Sequence, residues 1–112
     1  MKRAERLRKG REFDTAYSKG TVVSGPLLVI RVLPNGLDFT RWGFAVGKRL
    51  AKRATDRNRL RRRLRELART LPVRPGYDVI VTARNGSLEA TSPRLELAMS
   101  TVLAKAGLLE DR

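Results

Sequence analysis

Residues 54–69, ATDRNRLRRRLRELAR, decide the fold of this chain, because they predict a long helix between two strands. The leucines that follow the helical repeat form one narrow apolar stripe over 55–71: Leu60, Leu64, Leu67 and Leu71. Thr55 or Asp56 can cap the start of this helix, because both side chains accept backbone N–H bonds. Pro72 stops the helix at its other end.

The same helix carries a high density of positive charge. Residues 57–69 contain seven arginines and one acidic residue, Glu66. Four of the arginines are spaced four residues apart: Arg57, Arg61, Arg65 and Arg69. Like charges at this spacing repel one another, and an ordinary solvated face mixes both signs. We therefore interpret the segment as a phosphate-binding surface, since the arginine side chain meets phosphate oxygens bidentately and stacks on bases.

The neighbouring segments predict a small sheet. Residues 40–47 and 77–84, on either side of the helix, read as strands and complete a β-α-β unit. Residues 25–33 form an earlier strand, and the turn residues 34–36, PNG, favour a hairpin that pairs it with strand 40–47. Residues 21–23 can add an edge strand.

Two further helices complete the prediction. Residues 11–20 form a short helix with Gly20 as its C-terminal stop. Residues 92–107 form the last helix, with Ser92 as its N-cap. The order is α-β-β-α-β-α plus the extra edge strand, which indicates one α+β domain over residues 1–112.

Composition excludes several classes of site. The 112 residues include no cysteine and no histidine, which removes disulfides, the usual zinc and iron–sulfur sites, and imidazole catalysis. The acidic residues do not cluster, so we expect neither a metal site nor a catalytic side chain. Because the sequence has no apolar run that could span a membrane and no signal peptide, we expect a cytoplasmic protein without a membrane partner.

The net charge of +14 is concentrated in two segments. Residues 1–12 carry a net charge of +4, and residues 48–69 carry +9. A field of this strength on a small protein attracts a polyanion. A helix-turn-helix would need a second helix just before the basic one, where residues 43–49, GFAVGKR, predict a strand. RNA is therefore favoured over duplex DNA.

An aromatic pair lies on the first predicted helix. Phe13 and Tyr17 are four residues apart and share one face of it. They are either core anchors or a surface on which unpaired bases stack, and the residues alone leave both interpretations open. Trp42 and Phe44 share one face of their strand by alternation, and we expect at least one of them in the core.

The basic helix in its context resembles a known family. Residues 43–49, GFAVGKR, leading into 57–67, RNRLRRRLREL, are similar to the protein subunit of bacterial ribonuclease P, which has a glycine-led basic strand and a helix of the form RNRxKRxxRE. Residues 6–20, RLRKGREFDTAYSKG, resemble its N-terminal segment, and 76–84, GYDVIVTAR, its late strand. Residues 51–59, AKRATDRNR, are one residue longer than the usual form of the family.

The resemblance implies a fold and a function. The fold has the order α-β-β-β-α-β-α, a central mixed sheet with packed helices, and a left-handed β-α-β crossover, where the general rule favours a right-handed one. The function is to assist a catalytic RNA in the endonucleolytic removal of the 5′ leader from precursor tRNA. The RNA and its bound Mg²⁺ carry out the hydrolysis. The protein, a monomer within the ribonucleoprotein, binds the ribozyme core and the leader.

Carried over residue by residue, the resemblance implies two groups of site residues. The RNA-binding group comprises Lys48, Arg49, Arg57, Asn58, Arg59, Arg61, Arg62 and Arg65. The leader cleft comprises Phe13, Tyr17 and Arg31, the last of which replaces an aromatic that the family often has there.

Other functions fit parts of the same pattern. A non-catalytic structural RNA-binding protein of ribosomal type would share the charge and the basic helix, but it would not need an aromatic cleft. A DNA-binding module is disfavoured by the predicted topology, and a protein-only nuclease by the missing histidines. For any RNA-binding function we expect anions to stabilise the fold and salt to weaken RNA binding.

Overall fold

The chain forms a four-stranded mixed sheet with helices on both faces. The structure is a computed structural model that describes residues 2–8 and 10–110. After a 3-10 turn at Arg3–Glu5, its elements are α1 (Arg11–Lys19), β1 (Thr21–Ser24), β2 (Leu28–Pro34), β3 (Arg41–Ala45), α2 (Ala54–Thr70), β4 (Tyr77–Ala83) and α3 (Ser92–Lys105). This is the α-β-β-β-α-β-α order implied by the resemblance, and β1 is the predicted extra edge strand.

The sheet order is β1-β2-β4-β3, with β3 and β4 parallel and the other neighbours antiparallel. The β-α-β unit of β3, α2 and β4 is confirmed, but the predicted hairpin between β2 and β3 is wrong, because β4 lies between them. The chain does turn at Gly36, which has a φ of 72°. However, the Asn35 side-chain amide donates a 3.0 Å hydrogen bond to Asp78 of β4, so the turn leads the chain past the end of β4.

The two faces of the sheet bury different clusters. Alternate residues of β2, such as Leu28 and Ile30, face the larger core under α2 and α3. On the opposite face, α1 packs through Ala16 against Ile80 of β4 and Leu7. The helix α1 and the helix α2 therefore lie on opposite sides of the edge strand β3.

The apolar stripe of α2 is confirmed. Leu60 and Leu64 are fully buried and pack against the sheet. The predicted N-cap is wrong: the helix begins at Ala54, and its N-cap, Arg53, makes no side-chain capping bond. Thr55 and Asp56 instead lie in the first turn, where the negative charge of Asp56 interacts favourably with the helix dipole.

The ends of the other two helices depart slightly from the prediction. Thr91, rather than Ser92, caps α3 by accepting a hydrogen bond from the backbone N–H of Arg94. Gly20 follows α1 as predicted, but its φ of −69° needs no glycine. Glycine is required there by close packing, because an added Cβ would lie 2.5 Å from the carbonyl oxygen of Ala16. Of the helices formed by the described residues, none has the length and hydrophobicity needed to cross a bilayer.

Candidate nucleic-acid interface

A cleft of about 800 Å³ runs along the edge strand β3 between α1 and α2. Its floor is formed by residues 42–47. One wall comes from α1 and the other from α2, so the cleft joins the two faces of the sheet around the free edge of β3. The N-terminal segment also lines it, and is held there by a 2.8 Å hydrogen bond from the backbone N–H of Leu7 to the carbonyl oxygen of Trp42.

The α1 wall is aromatic. The rings of Phe13 and Tyr17 are nearly parallel, at 15°, with their centroids 6.4 Å apart. Phe13 packs partly into the sheet, whereas half of the Tyr17 side chain is exposed. The guanidinium carbon of Arg31 lies 3.9 Å from the centroid of the Tyr17 ring. The structure therefore brings all three residues of the predicted leader cleft into one stack, with Phe13 as its half-buried end. Phe13 and Tyr17 line the cleft, whereas Arg31, on β2, is not among the residues that line it.

The α2 wall is cationic. Arg61 and Arg65 both line the cleft. The guanidinium of Arg65 lies 5.9 Å from the ring centroid of Phe44. Burial lowers the pKa of the Arg65 side chain from its ordinary value, and the charges of Arg6 and Arg61 lower it further. Arg61 donates a 2.8 Å hydrogen bond to the side-chain oxygen of Asn58, which orients the arginine.

The rest of the predicted RNA-binding group lies outside the cleft. Lys48 and Arg49 are exposed on the loop that connects β3 to α2. Arg59 and Arg62 are exposed on α2. Arg57 is engaged within the protein, because its guanidinium donates hydrogen bonds of 2.9 and 2.8 Å to the carbonyl oxygens of Ala51 and Lys52. It holds the basic loop in place.

A buried ion pair stabilises the opposite end of β3. Arg41 binds both carboxylate oxygens of Asp78, at 2.8 and 2.7 Å, and approaches Glu12 at 3.2 Å. The hydrogen bonds to Asp78 raise the pKa of the Arg41 side chain above its ordinary value. Asp78 is only 4% exposed, so this pair belongs to the folded core. The described residues include no cluster of three or more histidine, cysteine or acidic side chains that could hold a metal ion.

Arg6, Thr82 and Gly43 are among the residues of the cleft that sequence reasoning missed. Arg6 was counted only as part of the basic N-terminus, and its bridge to Trp42 on β3 was not foreseen. Thr82 could not be recognised from the sequence, because it is an ordinary strand residue. It lines the cleft only because β4 pairs with β3. Gly43 approaches Phe13 so closely that an added Cβ would lie 3.0 Å from the ring. A glycine within a predicted strand could have indicated this close approach.

Comparisons with known proteins identify the family of this chain. The family model described as Ribonuclease P matches residues 1–107. The ribonuclease P protein component of Dehalococcoides mccartyi strain CBDB1 is 36% identical over 109 residues, which cover 97% of this chain and 90% of the relative. The corresponding protein of Symbiobacterium thermophilum is 40% identical over 113 residues, covering 98% of this chain and 97% of the relative.

Solved structures show the same fold. The RNase P protein of Staphylococcus aureus superposes with a TM-score of 0.84 at 28% identity, covering 96% of this chain and all of that protein. The RNase P protein of Thermotoga maritima gives a TM-score of 0.82 at 27% identity, covering 90% of this chain and 96% of that protein. Superpositions this close require the β-α-β crossover to have the same hand in all three proteins.

Proposed function

The chain belongs to the ribonuclease P protein family, the protein component of a tRNA-processing endoribonuclease, and we propose that two parts of its surface bind two different RNAs. The cleft along β3 binds the single-stranded 5′ leader of precursor tRNA. The exposed basic groups outside the cleft bind the catalytic RNA of ribonuclease P. The RNA, with Mg²⁺ bound mainly to it, carries out the hydrolysis.

The observation that supports leader binding is that the cleft has an aromatic wall from α1 and a cationic wall from α2. A single strand offers unpaired bases and a phosphate backbone side by side, and it binds where aromatic rings flank a positively charged groove. Here Tyr17 is an exposed ring on one wall, and Arg61 and Arg65 lie on the other. A structural RNA-binding protein that only clamps helical RNA would need no such combination.

The outer basic groups suit a folded RNA. Lys48 and Arg49 on the loop, and Arg59 and Arg62 on α2, are exposed. The ion pair of Arg59 with Asp56 is long, at 4.0 Å, and weak enough to exchange for phosphate. Such cations bring a polyanionic substrate to a polyanionic ribozyme and offset the repulsion between them.

The test compares cleavage of precursor tRNA by a bacterial ribonuclease P RNA at low Mg²⁺, with and without this protein. Two substrates are used, with leaders of one nucleotide and of about eight, a length typical of single-strand sites. We expect the protein to stimulate cleavage of both substrates, and of the long-leader substrate more. RNA binding without any effect on cleavage would favour the alternative, a structural RNA-binding protein of ribosomal type.

A cleft variant makes the same test specific. Replacing Tyr17→Ala should remove most of the preference for the long leader, about tenfold, because stacking of one base on an aromatic ring contributes on the order of 1–3 kcal/mol. Stimulation with the one-nucleotide leader should remain. Arg94→Gln, on the exposed face of α3, is the control and should retain the preference.

A further inference from the structure

The two edges of the sheet differ in how the rest of the chain covers them. At the β3 edge, the N-terminal segment pairs with the strand through Arg6 and Trp42, and the backbone N–H of Leu7 donates a hydrogen bond to Trp42. At the other edge, β1 pairs with β2 on its inner side. In the described part of the chain, no segment pairs with the outer side of β1. An uncovered edge presents free N–H and C=O groups, to which another strand can bind.

The backbone of β1 directs the polar groups of two residues outward. In an antiparallel pair, alternate residues form hydrogen bonds with the neighbouring strand. The N–H of Gly25 donates a 2.8 Å hydrogen bond to the carbonyl oxygen of Leu28, and this bond sets the alternation along β1. Val23 therefore bonds to β2, whereas the N–H and C=O groups of Val22 and Ser24 point away from the sheet.

The sequence of β1 leaves this edge open to pairing. Lysine, proline and bulges are the usual features that block an edge strand. Residues 21–24, TVVS, include no charged residue and no proline, and their register with β2 is continuous. Apolar side chains lie on both sides of the edge. Val22 is 52% exposed, and Leu97 of α3, 69% exposed, lines an apolar groove of about 240 Å³ with Pro26 and Leu27 at the end of β1.

The charge distribution favours a second copy of this chain as the partner. Of the net charge of +14, residues 1–12 carry +4 and residues 48–69 carry +9, so all other residues together carry +1. The strand β1 and the helix α3 belong to this nearly neutral part, whereas α2 and the N-terminal segment lie beside the opposite edge strand, β3. Two copies that meet at β1 keep their strongly basic segments apart, and the contact needs no acidic partner.

We propose that β1 pairs with β1 of a second copy, antiparallel about Val23, and that the pairing joins two four-stranded sheets into one symmetric dimer. In this register Val22 lies opposite Ser24 of the second copy, and the outward-pointing groups form about four hydrogen bonds. Because β1 is short, the interface is small and the dimer is weak. The two clefts lie at the far edges of the joined sheet, about 30–35 Å apart for strands spaced about 4.8 Å, so both stay open. The inference does not depend on the proposed function, and it is compatible with one copy of the chain on each catalytic RNA.

Sedimentation equilibrium of the RNA-free full chain tests the association, at concentrations from about 1 μM to about 1 mM. The fraction of dimer should rise with concentration. It should also rise with added salt, because salt screens the repulsion between two copies of charge +14. Association that weakens with salt would indicate bridging by nucleic acid and would overturn the proposal. A monomer at every concentration would also overturn it, and would leave the β1 edge open only to a strand of another protein.

A charged variant tests whether the contact is at β1. Val22→Lys should weaken the dimer about tenfold, because it places two lysines on one face of the joined sheet as diagonal neighbours roughly 7–8 Å apart. Val22→Thr keeps an uncharged strand-forming residue and should dimerise as the wild type does. Leu37→Lys adds the same charge at another exposed apolar residue, on the turn between β2 and β3, and is the matched control. Urea unfolding checks that each variant is folded. Equal dimerisation of Val22→Lys and Leu37→Lys would contradict the proposal.

Hydrogen exchange identifies the interface at the level of single amides. The amide of Val23 bonds to β2 and should be protected at every concentration. The amides of Val22 and Ser24 should exchange freely in the monomer and about tenfold more slowly where about 90% of the chain is dimeric. A dimer in which these two amides exchange as fast as in the monomer must use another surface, and the proposal would then be wrong.

Discussion

Arg41 and Arg65 are two partly buried arginines at the same edge strand, and their surroundings are opposite. Arg41, at the start of β3, binds Asp78 bidentately and approaches Glu12, and its pKa is raised. Arg65, on α2, has an unsatisfied Nε atom and two arginines near it, and its pKa is lowered. The fold supplies Arg41 with acidic partners, whereas it leaves the Nε atom of Arg65 without a hydrogen-bond partner.

The two arginines differ in whether the fold places acidic residues beside them. The chain has 25 basic residues and only 11 acidic ones, so most cations cannot be paired internally. The partners Glu12 and Asp78 come from α1 and β4, so the ion pairs of Arg41 connect β3 to both elements. In the described part of the chain, Arg61 and Arg65 line the cleft and form no ion pair.

The largest expected effect is on folding stability. Arg41→Ala should lower the free energy of unfolding by about 3–5 kcal/mol, because it leaves the Asp78 carboxylate buried without its counter-charge. Arg65→Ala should change the free energy of unfolding by less than about 1 kcal/mol, because the lost contacts are offset by the removal of a partly desolvated charge that has no acidic partner. Urea denaturation of both variants measures this, and similar losses in the two would contradict the distinction.

A smaller effect on the free energy of unfolding is expected when sulfate, instead of RNA, supplies the anion. Sulfate at about thirty times its dissociation constant should stabilise the wild-type chain by about 2 kcal/mol through preferential binding to the folded state. Arg65→Gln should gain less than Arg94→Gln, although both remove one positive charge. Because sulfate also strengthens apolar burial in general, an equal gain in the two variants would indicate that general effect instead of a site.

Two arginines within one turn of α2 can be compared in the same way: Arg57, which is bound within the protein, and Arg59, which is exposed. Arg57→Gln should lower the free energy of unfolding by about 1–2 kcal/mol, because it removes two hydrogen bonds to the loop before α2. Arg59→Gln should leave stability within about 0.5 kcal/mol, since the Arg59 side chain is exposed. Arg59→Gln should instead reduce the salt dependence of binding to the catalytic RNA by about one phosphate. Equal effects of both variants on stability would contradict this assignment.

The local patterns of the sequence predicted the elements well and their pairing less well. The leucine stripe of α2 and the β-α-β unit follow from periodicity, because burial against a sheet demands them. The hairpin between β2 and β3 failed although the turn at Asn35 and Gly36 forms. Asn35 also binds Asp78, which is far away in sequence, and a tertiary contact of this kind cannot be read from turn residues.

The candidate site was predictable as a class and not in its details. Charge density predicts that α2 binds phosphate, and this stays a prediction. Arginine looks the same in sequence whether it holds a loop, as Arg57 does, or lines a cleft, as Arg65 does. The distinction depends on which carbonyl and carboxylate groups surround each side chain after folding. Thr82 enters the cleft only because the sheet order places β4 beside β3.

The smallest expected effect comes from a variant that changes the shape of the cleft and leaves its charge unchanged. Gly43→Ala should cost about 1 kcal/mol of stability, because its Cβ would lie 3.0 Å from the Phe13 ring and the ring must shift. Gly47→Ala adds the same methyl group where nothing lies within 4 Å, so stability should change less. The shift of Phe13 should weaken binding of a short oligoribonucleotide about threefold, because it disturbs stacking. The slope of log affinity against log salt should stay unchanged, because no phosphate is lost. A reduced slope for Gly43→Ala would mean that the aromatic wall and the arginine wall do not act separately, and the contrast between the two sides of β3 would then be wrong.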